Sequence, residues 1–403
     1  MKEMSKIRKY LFLAAILSTT VAMMGDCLVT PAADTLYKFF NNEAGVNAFL
    51  SAPMIVALFG SIFFGALSLK VDKKWILLFG AFCFTISGVL GILVRSLPYM
   101  TFMRCILGVA LGACNVTSVS IIAQTFIDEK ERSRYTSFIT AGTSLCGVVL
   151  TLISGSIAEI FGWEAVFHIH WVGVIMMLLI VFFVPKSPPV KEKEEEMDEN
   201  LVPSEENKKR WPVNLVTLIV SQFIWYNLYG IIFFQISVYI AERGIGNEAF
   251  SGTMASTYNL VSFASCLLFS FVYSKLKYAC GLVYYGLFAV GFAIMLAGSG
   301  RLTTVIACLL IGCASGTALS YFAVRGTMIV PREKMSMAVT CYSATMGIGM
   351  GISTYTAMGI KSILGTDTFV GMLPAMIVIA AIGTLASLVF TLREKTHPSK
   401  YYL

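Results

Sequence analysis

The sequence predicts an all-α polytopic membrane protein in which twelve transmembrane helices form two six-helix bundles. Hydrophobic residues make up 57% of the chain and charged residues 13%, which is about half the charged share of a typical soluble domain. Apolar runs of roughly 20 residues, the length that crosses a bilayer as a helix, recur along the chain. The mean hydropathy is +0.77. A soluble helical core is disfavoured, because it could not bury so many helices that are apolar on every face.

One hydrophilic stretch near the middle divides the chain into two halves of similar size. Residues 186–211 contain three prolines, charges of both signs and few large apolar side chains. Such a composition buries too little apolar surface to offset the entropy lost on ordering, so we predict a flexible linker. The predicted domains are an N-terminal bundle at 1–185, a charged cytoplasmic linker at 186–211 and a C-terminal bundle at 212–403.

Six spans are predicted on each side of the linker. The first apolar run is too long for a removed signal peptide and lacks its small-residue cleavage site. The predicted spans are 11–30, 46–68, 75–94, 99–123, 136–158, 165–184, 213–240, 249–273, 280–299, 302–324, 336–360 and 369–392.

The basic residues of the loops predict the orientation of the chain. With both termini inside, the inner segments hold 24 of the 30 Lys and Arg residues, the outer loops hold five, and Arg104 lies within a span. Basic residues concentrate on the cytoplasmic side of membrane proteins. A missed span would invert part of the chain and destroy this bias. We therefore expect a multi-pass protein with cytoplasmic termini, and its short loops suit a bacterial inner (plasma) membrane.

The two halves resemble each other. In the fourth span, Gly108 and Gly112 are spaced like Gly312 and Gly316 of the tenth span, 204 positions later. Glycines spaced in this way allow helices to approach closely, so we predict packing surfaces here. The repeat predicts two bundles related by a pseudo-two-fold axis along the membrane normal, with a site between them.

Several motifs carry a resemblance to a transporter family. The loop after the second span has Gly65 followed by Asp72, Lys73 and Lys74, and the fourth span combines Arg104 with its glycines. The next inner loop contains three further charged residues, which are Glu131, Arg132 and Arg134. This pattern resembles the major facilitator superfamily of secondary transporters, whose inner loops gate the cytoplasmic side. The chain differs at Leu69, where the family usually has aspartate, so Asp72 would have to replace it.

The first and fifth spans are similar to the drug:proton antiporter branch of that family. Gly25 and Asp26 are followed by a Thr-Pro pair in the first span, and the fifth span is rich in glycine. Thr151 occupies the proline position of the antiporter motif. The resemblance therefore implies an antiporter, and Thr151 is the point at which the chain departs from it.

Charged side chains within the predicted spans are the candidates for coupling chemistry. Asp26 lies in the first span and Arg104 in the fourth, and charges in hydrocarbon are costly and usually functional. If the two spans are neighbours, apolar surroundings favour a protonated Asp26 while Arg104 favours the carboxylate. The alternative is structural: Asp26 anchors the outer end of the first span and Arg104 bonds to backbone.

The second half offers uncharged polar and aromatic groups instead. Such groups suit a cavity for an amphipathic or uncharged solute, because aromatic rings give flat contact area and amides fix orientation. The alternative is that the rings form interfacial belts. The candidates, together with one residue of the fourth span, are Asn115, Gln222, Tyr226, Asn227, Asn259, Tyr321 and Tyr342.

The sequence thus predicts a secondary active transporter that moves a small amphipathic solute by alternating access, as proton-coupled efflux. A facilitator or importer of a polar solute such as a sugar or carboxylate is the alternative, favoured by Thr151 and the amides of the second half. A non-transporting receptor or a polytopic membrane enzyme is more remote, because the chain has no P-loop and no HExxH pattern.

The expected partners are a small-molecule substrate, a proton or other coupling ion and the lipid bilayer. The net charge of +7 arises in short loops, so it indicates orientation rather than nucleic-acid binding. The ten cysteines include no CxxC pair, and we expect no metal and no cofactor. Two fused halves make a complete transport unit, so a monomer is expected.

Overall fold

The computed structural model describes residues 6–126, 129–187, 205–330 and 335–396 of the 403-residue chain. Within these ranges the chain forms α-helices and short 3-10 helices and no β-strand. The α-helices are α1 Lys6–Ser18, α2 Thr20–Met23, α3 Ala33–Phe40, α4 Glu43–Leu67, α5 Lys73–Val89, α6 Leu97–Thr125, α7 Glu129–Phe161, α8 Val172–Phe183, α9 Glu205–Arg243, α10 Glu248–Leu276, α11 Cys280–Ala297, α12 Arg301–Met328, α13 Met335–Leu364 and α14 Phe369–Thr396. The 3-10 helices are Gly25–Ala32, Trp163–Trp171 and Lys277–Ala279.

The helices have the length and composition of membrane spans. Among the described residues eight helices are long and apolar enough to cross a membrane, and a bent pair makes a ninth. Phe59, Phe63 and Phe182 are more than half exposed, as expected of side chains that face lipid rather than water. The prediction of an all-α polytopic membrane protein is confirmed. Each of the twelve predicted spans overlaps a helix, but α5, α10 and α13 are outside the eight, so the count of twelve stays a prediction.

The helix at the first predicted span is broken near its middle and extends beyond the span at both ends. Two pieces, Ile7–Met23 and Gly25–Phe40, meet at a bend of 40°, whereas the sequence indicated a span at 11–30. The 3-10 helix Gly25–Ala32 follows the bend and contains Pro31, which has no backbone N–H and disrupts a regular α-helix.

The chain divides into two compact units. The first comprises Met1–Glu192 with Asn247–Ser256, and the second comprises Lys193–Gly246 with Thr257–Leu403. The first unit is built on an aliphatic and aromatic core to which α1, α5, α6 and α8 contribute.

The core of the second unit is aromatic. Trp225 of α9 is fully buried and stacks on Tyr229 with ring centroids 5.2 Å apart. The edges of Tyr226 and Phe288 complete the cluster around the indole. Buried rings of this size contribute much of the packing energy of a helix bundle.

The repeated glycines of α6 and α12 lie at helix crossings. A Cβ atom on Gly108 would stand 2.6 Å from the carbonyl oxygen of Pro53 in α4, and one on Gly312 would stand 2.7 Å from that of Tyr258 in α10. One turn further along, Gly112 and Gly316 are equally crowded by the same two helices. The predicted packing role of these glycines is confirmed, because any side chain would push the helices apart.

None of the ten cysteines is exposed, and all are free thiols. Five are buried and five are half-buried, so they fill space as small side chains do. The half-buried cysteines are Cys105, Cys146, Cys266, Cys313 and Cys341.

Candidate functional site

Asp26 lies directly after the break in the first span. Its side chain is 1% exposed, and neither carboxylate oxygen has a hydrogen-bond partner among the described residues. A buried carboxylate without a partner is costly in an apolar setting. The break therefore holds a group that gains from binding a proton or another hydrogen-bond donor.

Arg104 of α6 lies beside it. The guanidinium is 3% exposed and donates to two backbone carbonyls, that of Phe49 at 3.3 Å and that of Asp26 at 3.5 Å. It also lies 5.1 Å from the ring centroid of Phe49. The first and fourth spans are thus neighbours at this depth. The bond to Asp26 is made to its main-chain carbonyl, which leaves the carboxylate near a positive charge without a direct bond to the guanidinium.

Glycine at the break brings these two groups together. A Cβ atom on Gly25 would stand 2.9 Å from the ring of Phe84 and 3.0 Å from the side chain of Leu107. Only glycine lets the chain approach α5 and α6 this closely. The adjacent Gly25 and Asp26 are a signal of this close approach in the sequence. The residues that Gly25 packs against, Phe84 and Leu107, could not be inferred from it.

The polar groups of α9 contact α13 in the second unit. Gln222 donates from Nε2 to the carbonyl oxygen of Tyr342 at 2.9 Å, and the hydroxyls of Tyr226 and Tyr342 lie 3.2 Å apart. Asn227 donates to the carbonyl oxygen of Gly349 at 3.3 Å. These side chains join helix to helix in this structure, and Tyr342 is the half-buried member of the set.

The remaining cavity candidates lie on α6, α10 and α12. Asn115 is exposed on α6, and Asn259 on α10 is half-buried, with no hydrogen-bond partner for Nδ2 among the described residues. Tyr321 on α12 is buried and lines a different cavity in the second unit. The structure thus connects Gln222, Tyr226, Asn227 and Tyr342 through hydrogen bonds between α9 and α13.

Three of the predicted inner-gate residues lie where the loop after α4 meets α5. Asp72 caps α5: its Oδ1 accepts from the backbone N–H of Lys74 at 2.9 Å and from that of Ser187 at 3.0 Å. Lys73 returns a backbone bond to Ser187 at 3.1 Å, and the ammonium of Lys74 donates to Val181 at 2.8 Å. Asp72 therefore connects this loop to the chain segment that follows α8.

The other predicted inner-gate residues lie on α4 and α7. Gly65 lies in the last turn of α4 and is half-buried. Glu131, Arg132 and Arg134 lie in the first turns of α7, and their side chains are outside the described part of the chain.

Thr151 joins α7 to the first turns of α10 within the first unit. Its hydroxyl lies 2.6 Å from that of Ser256 and donates to the carbonyl oxygen of Gly147 at 2.8 Å. A Cβ atom on Gly155 would stand 3.0 Å from the Cα of Gly252, so the two helices touch here. Sequence reasoning identified Thr151 as a departure from the antiporter motif but missed its partner.

No group of three or more His, Cys, Asp or Glu side chains that could hold a metal ion occurs among the described residues. The ionisable groups of the candidate site are thus an acid and a guanidinium.

Comparison with known proteins places these features in a family. The family model described as Major Facilitator Superfamily matches residues 11–354. The chain is 33% identical to "Probable anion transporter 6, chloroplastic" of Arabidopsis thaliana over 106 residues, which is 26% of this chain and 20% of that protein. It is 26% identical over 107 residues, 27% of each chain, to "Multidrug resistance protein MdtL" of Shewanella sp. (strain ANA-3). It is 26% identical over 141 residues, 35% of each chain, to "Purine ribonucleoside efflux pump NepI" of Escherichia coli O127:H6.

These alignments cover between about a fifth and a third of each relative's length. Solved structures match over nearly the whole chain. A D-xylose-proton symporter has a TM-score of 0.75 at 16% identity, with 96% of this chain and 97% of that chain covered. A bacterial homologue of the human lysosomal transporter Spinster, inward-facing and unoccupied, has a TM-score of 0.73 at 16% identity, with 96% and 95% covered. At this identity the two structures show a shared fold.

Proposed function

Because the chain belongs to the major facilitator superfamily, we propose that it is a secondary active transporter that exports a small amphipathic solute in exchange for protons. The observation that carries this proposal is the carboxylate of Asp26, which is buried beside Arg104 and has no hydrogen-bond partner among the described residues. Ionisable groups within a membrane mark proton and ion pathways.

Proton coupling follows from the two forms of the Asp26 side chain. The apolar surroundings favour the neutral acid, while the positive charge of Arg104 favours the carboxylate. A cationic or hydrogen-bond-donating substrate that reaches the carboxylate replaces the proton there. Proton and substrate then occupy the site in turn, and alternating access exchanges one for the other.

The substrate class is proposed from the second unit and from the relatives. Gln222, Asn227 and Tyr342 provide amide and phenol groups among aromatic rings, which suits a solute with both apolar and polar parts. Two of the relatives named above are a multidrug resistance protein and an efflux pump. Transport rather than catalysis is the activity typical of the family.

The cellular setting is proposed from the charge of the loops. A multi-pass location in a bacterial inner membrane with both termini in the cytoplasm fits the 24 of 30 basic residues assigned to inner segments. The bundles at 1–185 and 212–403, joined by a linker at 186–211, make one transport unit, so we propose a monomer.

The test uses purified protein in liposomes that contain a pH-sensitive dye. Cationic and neutral amphipathic compounds are added to vesicles with the unchanged chain, with Asp26→Asn and with Asp34→Asn. Asp34, which is half-buried, forms an ion pair with the exposed Lys38 at 2.6 Å and serves as the control. We expect compound-driven proton movement that Asp26→Asn lowers at least about tenfold and that Asp34→Asn preserves. Equal solute flux without proton movement in all three would contradict the proposal.

A facilitator of polar solutes is the second candidate. It is favoured by Thr151, which bonds to Ser256 at the position where the antiporter motif has proline. The same vesicles decide between the two, because a facilitator moves a sugar or a carboxylate down its gradient with no change in internal pH.

A further inference from the structure

The second unit contains a cavity that the proposed transport cycle does not use. It has a volume of about 260 Å³ and lies among α9, α11, α12 and α14. Its lining is mainly aliphatic and aromatic, and none of the described residues that line it is acidic. An apolar cavity of about 150 Å³ stays dry and binds benzene, so this cavity has room for a hydrocarbon chain.

The mouth of the cavity opens between two apolar helix faces. On α9 the side chain of Val220 is 52% exposed, and on α14 that of Ile382 is 60% exposed. Each belongs to a row of exposed apolar residues at helical spacing. The rows are Val213, Val216, Val220 and Ile224 on α9, and Val378, Ile382, Leu385 and Val389 on α14.

Exposed apolar rows on membrane-spanning helices contact the acyl chains of the bilayer. The mouth is continuous with both rows, so the molecules that reach it first are lipids. An acyl chain can enter the cavity sideways, without leaving an apolar environment.

A cation lines the cavity. Arg325 of α12 is 1% exposed, and its guanidinium carbon lies 4.9 Å from the ring centroid of Tyr278 and 5.8 Å from that of Phe390. Aromatic faces attract a cation, and the guanidinium also contacts the hydroxyl of Tyr273. An anionic group that enters the cavity meets this guanidinium, and arginine is the side chain best suited to bind phosphate.

The charge lies at one end of the cavity. Arg325 stands one turn before the end of α12, Tyr278 lies in the 3-10 helix that precedes α11, and Asn214 lies at the start of the membrane-spanning part of α9. With both termini inside, as proposed above, these positions mark the cytoplasmic side. Ile379, a further lining residue, lies about three turns before Phe390 on α14, on the side away from the cytoplasmic end of that helix. The polar end thus lies at the depth of lipid headgroups and the apolar end at the depth of acyl chains.

We propose that this cavity binds an anionic phospholipid of the cytoplasmic leaflet, with its phosphate at Arg325 and one acyl chain between α9 and α14. The apolar mouth selects a molecule that is already in the bilayer. The cation selects a lipid with net negative charge over a zwitterionic one.

The test is native mass spectrometry of the full chain in detergent, titrated with phosphatidylglycerol or with phosphatidylcholine of the same acyl chains. We expect phosphatidylglycerol to bind about fivefold more tightly, the effect of one basic residue at a membrane surface. Arg325→Gln should remove this preference, and Arg325→Lys should retain most of it. Ala386→Phe, a change at an exposed lining position of α14, should weaken the binding of both lipids.

Two control variants separate this site from general lipid contact. Lys275→Gln removes an exposed positive charge on α10, and Leu385→Phe enlarges an exposed α14 side chain outside the cavity lining. Both should bind lipid like the unchanged chain. Equal binding of the two lipids, or a preference that survives Arg325→Gln, would overturn the proposal. If the Arg325→Gln variant does not fold, the Ala386→Phe variant provides the test. Phosphatidylglycerol binding by that variant equal to binding by the unchanged chain would also overturn the proposal. Native mass spectrometry measures lipid binding and requires no transport, so the result does not depend on the proposed transport activity.

Discussion

The two units share a packing scheme and differ in the chemistry that they bury. In both, glycines of a long helix, α6 or α12, press against a neighbouring helix, α4 or α10. Asp26 of the first unit is the only acid among the buried residues that the structure describes. Cys308, a buried and uncharged residue, stands 204 positions after Arg104. The comparison teaches that the repeat preserves helix contacts, whereas the buried acid belongs to one unit.

Substitution of Arg104 should give the largest difference in stability between matched variants of the two units. Arg104→Gln should lower the free energy of unfolding by about 3 kcal/mol, because it leaves the buried carboxylate of Asp26 without a compensating charge. The matched change in the second unit, Cys308→Ala, should cost no more than about 1 kcal/mol. Thermal unfolding in detergent measures both.

A double variant sharpens this test. Asp26→Asn combined with Arg104→Gln should be more stable than Arg104→Gln alone, since no charge is then left uncompensated. If the double variant is no more stable than the single one, the two groups are not coupled and the comparison between the units fails.

The glycine contacts should be of similar importance in both units. Gly108→Ala and Gly312→Ala should each cost about 1–3 kcal/mol, because the added methyl group collides with a backbone carbonyl. Gly286→Ala in α11 is the control, since its Cβ would meet nothing within 4 Å. It should be neutral or stabilising by up to about 1 kcal/mol. Thermal unfolding measures these changes. If only one of the two variants, Gly108→Ala or Gly312→Ala, loses stability, the repeat does not preserve this contact.

The cap on α5 has a smaller expected effect. Asp72→Ala should cost about 1 kcal/mol, because it removes the acceptor of two backbone N–H groups. Asp72→Asn keeps one acceptor oxygen and should cost less. Asp34→Ala, which breaks the ion pair with the exposed Lys38, should cost no more than about 0.5 kcal/mol. If Asp72→Ala and Asp34→Ala have the same melting temperature, the bond to Ser187 does not contribute to stability.

The smallest expected effect concerns the phenol pair of the second unit. Tyr342→Phe should cost about 0.5–1 kcal/mol, because it removes the bond to the Tyr226 hydroxyl. Tyr355→Phe, at an exposed site on the same helix, is the control. If the role of Tyr342 is structural, Tyr342→Phe should lower the melting temperature and leave substrate affinity unchanged. A fall in substrate affinity with unchanged melting temperature would instead make Tyr342 a cavity residue.

Features that are local in sequence could be predicted from it. Apolar runs of span length located the helices, and the charges of Asp26 and Arg104 within such runs identified them as candidates. The break beside Asp26 was not predicted, because Pro31 is as typical of a helix end as of a break inside a span. A one-dimensional pattern does not distinguish these cases, since the difference depends on what packs around the break.

Contacts between distant residues could not be predicted. Ser187 lies 115 positions from Asp72, and Tyr342 lies 116 positions from Tyr226. Side chains at equal depth in two spans pair only if the helices are neighbours with the right rotation, and composition carries no information on rotation. The polar residues of α9 were therefore recognised as a set without their partner helix.

The state of the cysteines has a practical consequence for experiments on sidedness. Because none of the ten thiols is exposed, a membrane-impermeant maleimide should label the unaltered chain only weakly, and single reporter cysteines can be introduced without removing the native ones. Lys70→Cys and Ser299→Cys place reporters at exposed positions, the first in a predicted inner loop and the second at the predicted outer end of the span 280–299. In intact cells the second should be labelled and the first protected, and the reverse result would invert the chain in its membrane.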